Sequence, residues 1–277
     1  MDDGLSNLPP GSGVVEIHKK ADSPTYEFDR WWILVAAVVG LILFLVVTRP
    51  EPYLNIISFV QDGLTVTLYT TILSFAFTLV LGLFGGLGRL SKNWVIHGIA
   101  TVYVELVRGV PLLVQLLFWY FAFPSVLQGI GNATNFEPFQ KYLANPIAMA
   151  VLGLTFCYAA YMSEVYRAGI QSIAKGQMEA ARSLGMNYIQ AMQYVILPQA
   201  LRVILPPVGN EFISLLKDSS LVSVVAVADI TRRGREYMSS HFNPIETWMM
   251  VAMIYLVLTL VSARAVNWME KRTRLER

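Results

Sequence analysis

Ionisable residues interrupt the apolar sequence in a repeated pattern. Glu105-Leu106-Val107-Arg108-Gly109 is echoed by Glu164-Val165-Tyr166-Arg167-Ala168-Gly169. Glu and Arg three apart share one helix face, so each pair can close on itself. A charge in apolar surroundings is costly and marks either a structural pair or a binding site. Glu105, Arg108 and Arg167 are expected to be structural. Glu164 is expected to bind, because it follows the apolar, aromatic run 156–161. A carboxylate there would balance a positively charged solute group such as an ammonium. Lys217-Asp218-Ser219-Ser220 offers the opposite charge. Asp218 or Ser219 is a good N-cap, and a helix N-terminus presents free N–H groups and partial positive charge to an anion. Lys217, Ser219 and Ser220 are therefore expected to hold an anionic group. The alternative is a capped outer loop in which Asp218 neutralises Lys217. Gln115 lies near the middle of an apolar run, where its amide could bind solute or join helices.

Other chemistries lack their residues. His18, His97 and His241 are scattered without metal-ligand spacing. Cys157 is the single cysteine and sits in an apolar run. Gly82, Gly85, Gly86 and Gly88 are followed by Arg89-Leu90, not by the Gly-Lys-Ser/Thr of a phosphate loop. No catalytic triad pattern stands out. The net charge of +2 is too small to suggest nucleic acid. The chain is not expected to be an enzyme, to ligate a metal or to hydrolyse ATP itself.

The elements that must carry these residues are membrane spans. Of 277 residues, 55% are hydrophobic and 14% charged, against about 25% charged in soluble domains. Residues 1–30 are polar, with Pro9, Pro10, Gly11 and Gly13, and are expected to form a flexible cytoplasmic tail. Residues 31–48 form a first apolar block just long enough to cross a core of about 30 Å. Trp31 and Trp32 suit the headgroup level. Five further spans are expected at 63–88, 102–123, 146–167, 194–216 and 245–266. The second of these contains Gly109 and Pro111 and should kink. The fourth is less apolar because of Arg202, Asn210 and Glu211, and Pro206-Pro207 should break it. A short helix is expected over 218–228. With the N-terminus inside, Lys19, Lys20, Arg89, Lys92, Arg167, Lys175, Arg182, Lys271 and Arg272 all fall on the inner side. Fewer basic residues fall outside, chiefly Arg232, Arg233 and Arg235. That bias puts both termini and the segment 171–192 in the cytoplasm.

That inner segment is polar and built from small, helix-forming residues. Residues 177–184 read as a short amphipathic helix. Gly185 can end it in a left-handed conformation, and Pro198 stands in the first turns of the next span, where a missing donor costs least. Glu179-Ala180-Ala181-Arg182-Ser183-Leu184-Gly185, closed by Val195-Ile196-Leu197-Pro198, resembles the EAA loop of ABC importer permeases. Residues 160–170, 216–223 and Arg108-Gly109-Val110-Pro111-Leu112-Leu113-Val114-Gln115 extend the likeness. Together they resemble the polar amino acid (His/Gln/Glu/Arg/opine) uptake family from about residue 63 to the C-terminus.

The resemblance implies an all-α, polytopic membrane protein of the type I ABC importer kind. It would have five core transmembrane helices over 63–277 and one extra N-terminal helix. It implies a subunit of an ATP-driven importer for polar amino acids in the inner (plasma) membrane. Glu179, Ala180, Ala181, Gly185, Leu197 and Pro198 would couple it to a cytoplasmic ATPase dimer, on which ATP and Mg would bind. A second permease subunit, identical or paralogous, and an external solute-binding protein would complete the system. Under this resemblance the solute bound by Glu164, Lys217, Ser219, Ser220 and Gln115 is an amino acid. The alternative is a stand-alone secondary carrier or channel for small polar solutes.

Overall fold

The computed structural model describes residues 30–273, and among these every regular element is helical. The tail expected over 1–30 lies outside the described residues, apart from Arg30, where the first helix begins. Helix α1 (Arg30–Thr48) is the extra helix. Helix α2 (Pro50–Leu90) follows after Arg49 alone, with non-helical Glu51 marking a kink near its start. The boundary expected at residue 63 therefore falls inside a helix. A three-residue turn, in which Asn93 caps the backbone N–H groups of Val95 and Ile96, reverses the chain into α3 (Trp94–Gly109).

The span expected over 102–123 is two helices. Gly109 ends α3, Val110 is extended (φ −104°, ψ 131°), and Pro111 starts α4 (Leu112–Leu117). A residue before proline avoids the helical region, so Pro111 breaks this chain instead of bending it. A single π-helical turn (Phe118–Ala122) leads into α5 (Phe123–Thr134), which carries the helix past residue 123, where the span was expected to end. Helix α6 (Glu137–Gln140) is one turn, and α7 (Pro146–Gln171) begins with Asn145 capping Ala148 N–H.

Two short helices, α8 (Lys175–Ser183) and α9 (Tyr188–Ala191), fill the segment between α7 and α10 (Leu197–Asp218). Another π turn (Met192–Ile196) joins α9 to α10. Both π turns end two residues before a proline, Pro124 and Pro198. In each, the residue before the proline donates its N–H five residues back: Phe123 to Phe118 O, and Leu197 to Met192 O. A proline cannot donate to the ladder, and the wider turn absorbs the missing bond. Helix α10 runs unbroken through Pro206 and Pro207. The carbonyls these prolines leave without a donor belong to Arg202 and Val203, both on its exposed side. A 3₁₀ turn (Ser219–Val225) continues α10, and α11 (Ile230–His241) and α12 (Pro244–Thr273) complete the chain.

Among the described residues, five helices are long and apolar enough to cross a membrane: 31–48, 50–90, 112–134, 146–171 and 244–272. Helix α10 has 22 residues, about 33 Å, which is long enough. Its charges keep it off that set. One side of it packs against α7 and α12.

Helix α7 is the centre of the molecule, and α2 lies along most of it. Gly82 and Gly86 let the two approach: a Cβ on either would meet the side chain of Met162 or Tyr166 within 3 Å. At the other end, α1 packs beside α12 over a cluster of Tyr53, Ile56, Val60, Tyr237, Met250 and Met253. Asp229 caps α11 through Thr231 N–H (3.1 Å) and Arg232 N–H (3.0 Å). Arg233 reaches Asp62 at 2.5 Å and Glu236 at 2.8 Å. The basic run 232–235 is thus largely neutralised within the fold, which ties α11 to α2.

Candidate functional site

Two regions carry the polar residues, and α7 and α10 connect them. The first is the segment from Ser172 to Pro198. Helix α8 stands clear of the bundle, with Glu179 and Ala180 exposed. Gly185 follows it at φ +87°, the left-handed position for which glycine is suited. Its N–H bonds Arg182 O at 3.0 Å, and Met186 N–H bonds Ala181 O at 3.2 Å. Asn187 and Gln190 then form a reciprocal capping box at the start of α9. Ala181 is small for a different reason from Ala180. It is buried against its own chain, at 3% exposure, so α8 can sit on the π turn. Only Ala180 leaves room for another protein. Leu197 and Pro198 stand exposed where the π turn enters α10.

The second region is the set of charges where α2, α3 and α7 meet. Glu164 accepts from Arg89 Nη1 at 2.6 Å and from Arg167 Nε at 3.0 Å, with a further bond to Arg167 Nη2. The Glu164–Arg167 pair forms as its spacing predicts. The Glu105–Arg108 pair does not. Glu105, two-thirds exposed, lies 3.7 Å from Arg89 instead. Arg108 leaves its helix to lie over the Tyr161 ring, 5.2 Å from its centroid. Glu164 is therefore a shared anchor for two guanidinium groups, not a spare carboxylate facing a cavity.

Gln115 is equally occupied. Its Nε2 donates to Val107 O and Val110 O, both at 2.9 Å. These carbonyls flank the break made by Pro111, so the amide holds two broken helix ends together.

The helix start expected at residues 218–219 is absent. Ser219 N–H bonds Leu215 O, and the chain passes from α10 into the 3₁₀ turn without a free N-terminus. Ser219 Oγ donates to Leu216 O at 2.7 Å and is fully buried. Lys217 is exposed on another face. The anion site built on this stretch thus loses its backbone donors.

Helix α10 supplies a pocket on its opposite side. A cavity of about 280 Å³ is lined by Leu112, Cys157, Tyr158, Tyr161, Glu211, Ser214 and Asp218. Tyr158 OH donates to Asp218 Oδ2 at 2.7 Å. Arg108, over Tyr161, stands at its edge. Two carboxylates, three hydroxyls and a guanidinium therefore converge on one small space. Glu211 and Asp218 are not among the expected site residues. Their spacing of seven was the available signal, since it puts both on one face of a helix.

The family profile described as "Binding-protein-dependent transport system inner membrane component" matches residues 78–275. The glutamine transport system permease protein GlnP of Escherichia coli is 36% identical over 214 residues, 77% of this chain and 92% of that protein. The arginine transport system permease protein ArgU of Corynebacterium glutamicum is 36% identical over 278 residues, covering 96% of this chain and 88% of its own. A solved amino acid ABC transporter crystallised with histidines superposes with a TM-score of 0.68 at 37% identity, over 83% of this chain and 98% of that one. The chain belongs to the family of binding-protein-dependent transport system inner membrane components.

Proposed function

We propose that this chain is the permease subunit of an ATP-driven importer for polar amino acids. The observation that carries the reading is the pocket between α7 and α10. An amino acid brings an ammonium and a carboxylate. Asp218 and Glu211 suit the first, and Arg108 suits the second. The tyrosines and Ser214 supply neutral hydrogen bonds. The relatives named for glutamine and arginine transport support the same class.

The working complex would contain a cytoplasmic ATPase dimer, a second permease subunit, identical or paralogous, and an external solute-binding protein. ATP and Mg would sit on the ATPase, whose docking point is the exposed face of α8 around Glu179 and Ala180. Gly185 and the π turn before Pro198 would pass its movement to α10, and so to Glu211 and Asp218. Both termini would be cytoplasmic.

The test is copurification with the neighbouring ATPase, followed by ATP hydrolysis against a panel of amino acids. Stimulation by polar amino acids, lost in Glu179→Ala while assembly of the subunits' folded forms persists, supports the reading. Solute uptake by the purified chain without any ATPase would replace it with a stand-alone carrier.

A further inference from the structure

We infer that the exposed face of α3 is a binding track for a phospholipid, with one acyl chain lying along the helix and the phosphate at Lys92. A cavity of about 680 Å³ runs along this face, lined by Trp94, Val95, Gly98, Ile99, Val102 and Leu106. Phe156 of α7 closes one side of it. A second cavity, of about 310 Å³, shares Leu106, Val107 and Phe156 with the first. It continues past the break at Pro111 to Phe118 and Trp119. The two form one apolar track. Gly98 keeps it open, since a Cβ there would meet nothing within 4 Å.

The lining selects hydrocarbon. The polar side chains that reach the middle of the track spend their hydrogen bonds inside the protein. Tyr103 OH donates to Phe156 O at 2.7 Å. Gln115 Nε2 donates to Val107 O and Val110 O. A polar occupant would give up its hydration here for little return. An acyl chain gives up nothing. It also suits the break between α3 and α4, because Gln115 already satisfies both carbonyls there.

Length and charge point to a lipid of one leaflet. From Trp94 to Leu106 the helix rises about 18 Å, against about 15 Å for half of a hydrocarbon core of about 30 Å. Trp94, 83% exposed, stands at the mouth of the track, where an indole suits the headgroup level. Lys92 is exposed on the turn just before it and joins no ion pair among the described residues. A lysine at that depth attracts an anionic headgroup. A helix from a second copy would fit the apolar track but not this free ammonium. The carboxylates gathered at that end, Glu105 and Glu164, already face Arg89 and Arg167.

The test uses the full chain in nanodiscs of phosphatidylcholine and phosphatidylglycerol, with a trace of phosphatidylglycerol carrying a photoactivatable acyl chain. In the wild type, cross-links should fall on residues 94–107 about tenfold more often than on the exposed face of α1. Gly98→Leu places a side chain in the track and should remove that excess. Gly40→Leu, at an equally open glycine on α1, should keep it. Leucine is the better helix former, so both variants should fold. Lys92→Gln should lower the labelling of α3 about fivefold, and Lys92→Arg should restore it. Equal labelling of α3 and α1 in the wild type overturns the inference, and so does an excess that survives Gly98→Leu. Labelling undiminished in Lys92→Gln overturns the place of the phosphate. Linkage of Val102→Cys chains to one another by a short bis-maleimide in membranes would give the track to a second copy, and the lipid reading would fall.

Discussion

Three carboxylates in this chain differ in what they are free to do. Glu164 is held by Arg89 and Arg167. Neutralising it leaves two guanidinium groups facing each other, one of them on Arg89, whose side chain is only 14% exposed. Glu164→Gln is therefore expected to lower stability by about 1.5–3 kcal/mol, the range for hydrogen bonds to charged groups. The midpoint of thermal unfolding should fall while KM for the transported amino acid stays constant. Glu211 and Asp218 face the cavity between α7 and α10. Glu211→Gln and Asp218→Asn should do the reverse: the midpoint moves little, and amino-acid stimulation of ATP hydrolysis weakens at least tenfold. A tenfold loss corresponds to about 1.4 kcal/mol of binding. An unchanged stimulation curve for both variants would remove the pocket from the transport path. The sequence shows all three acids, but it shows no partners. Glu164 looks like a site because its own helix offers one arginine, whereas its second arginine arrives from α2, 75 residues earlier.

At the scale of elements, apolar length located most of the spans, and Gly185 ends α8 as its type suggests. The caps Asn93 and Asn145 were not read from the sequence, and α3 starts at Trp94, ahead of the span expected from residue 102. Prolines were harder to read. Pro111 breaks the chain, Pro124 and Pro198 widen it into π turns, and Pro206-Pro207 leave it helical. The difference lies in who satisfies the freed carbonyls, and that is a tertiary fact. At Pro111 the answer is Gln115. Gln115→Leu keeps the volume but withdraws two hydrogen bonds from buried backbone, so a loss of about 2 kcal/mol is expected. Gln115→Glu cannot donate to the two carbonyls when ionised and should not rescue it. A thermal midpoint equal to wild type in Gln115→Leu would show that the break is held elsewhere. The seat of α11 on α2 is tested at Gly63. A Cβ there would stand 2.8 Å from the backbone of Asp229, which cannot rotate aside. Gly63→Ala should cost about 1–3 kcal/mol by overpacking.

For the whole molecule, the arrangement of charge follows the membrane. Glu164, Arg167, Arg89, Glu105 and Arg108 gather near the same ends of α2, α3 and α7 from which α8 projects. Arg232, Arg233 and Glu236 gather on α11, beside Asp62 near the far end of α2. Between the two layers the exposed surface of α1, α2 and α12 is mostly apolar. Such a molecule has two wet ends, and its orientation decides whether α8 can reach an ATPase. Lysine and arginine favour the α8 side as the inner one. Arg235, by contrast, is exposed on α11 at the other end. Ala180→Cys and Arg235→Cys can be compared in a chain whose buried Cys157 is replaced by alanine. In intact cells a membrane-impermeant maleimide should label residue 235 and spare residue 180. In inverted vesicles the preference should reverse. The opposite pattern would place α8 outside, beyond reach of any cytoplasmic ATPase, and the coupling role of Glu179 would fall with it. The geometry makes this a sharp comparison. The two positions are separated by α10 and the 3₁₀ turn, a rise of about 33 Å or more along the helix axis. That distance is about a bilayer core, so one label cannot report both sides.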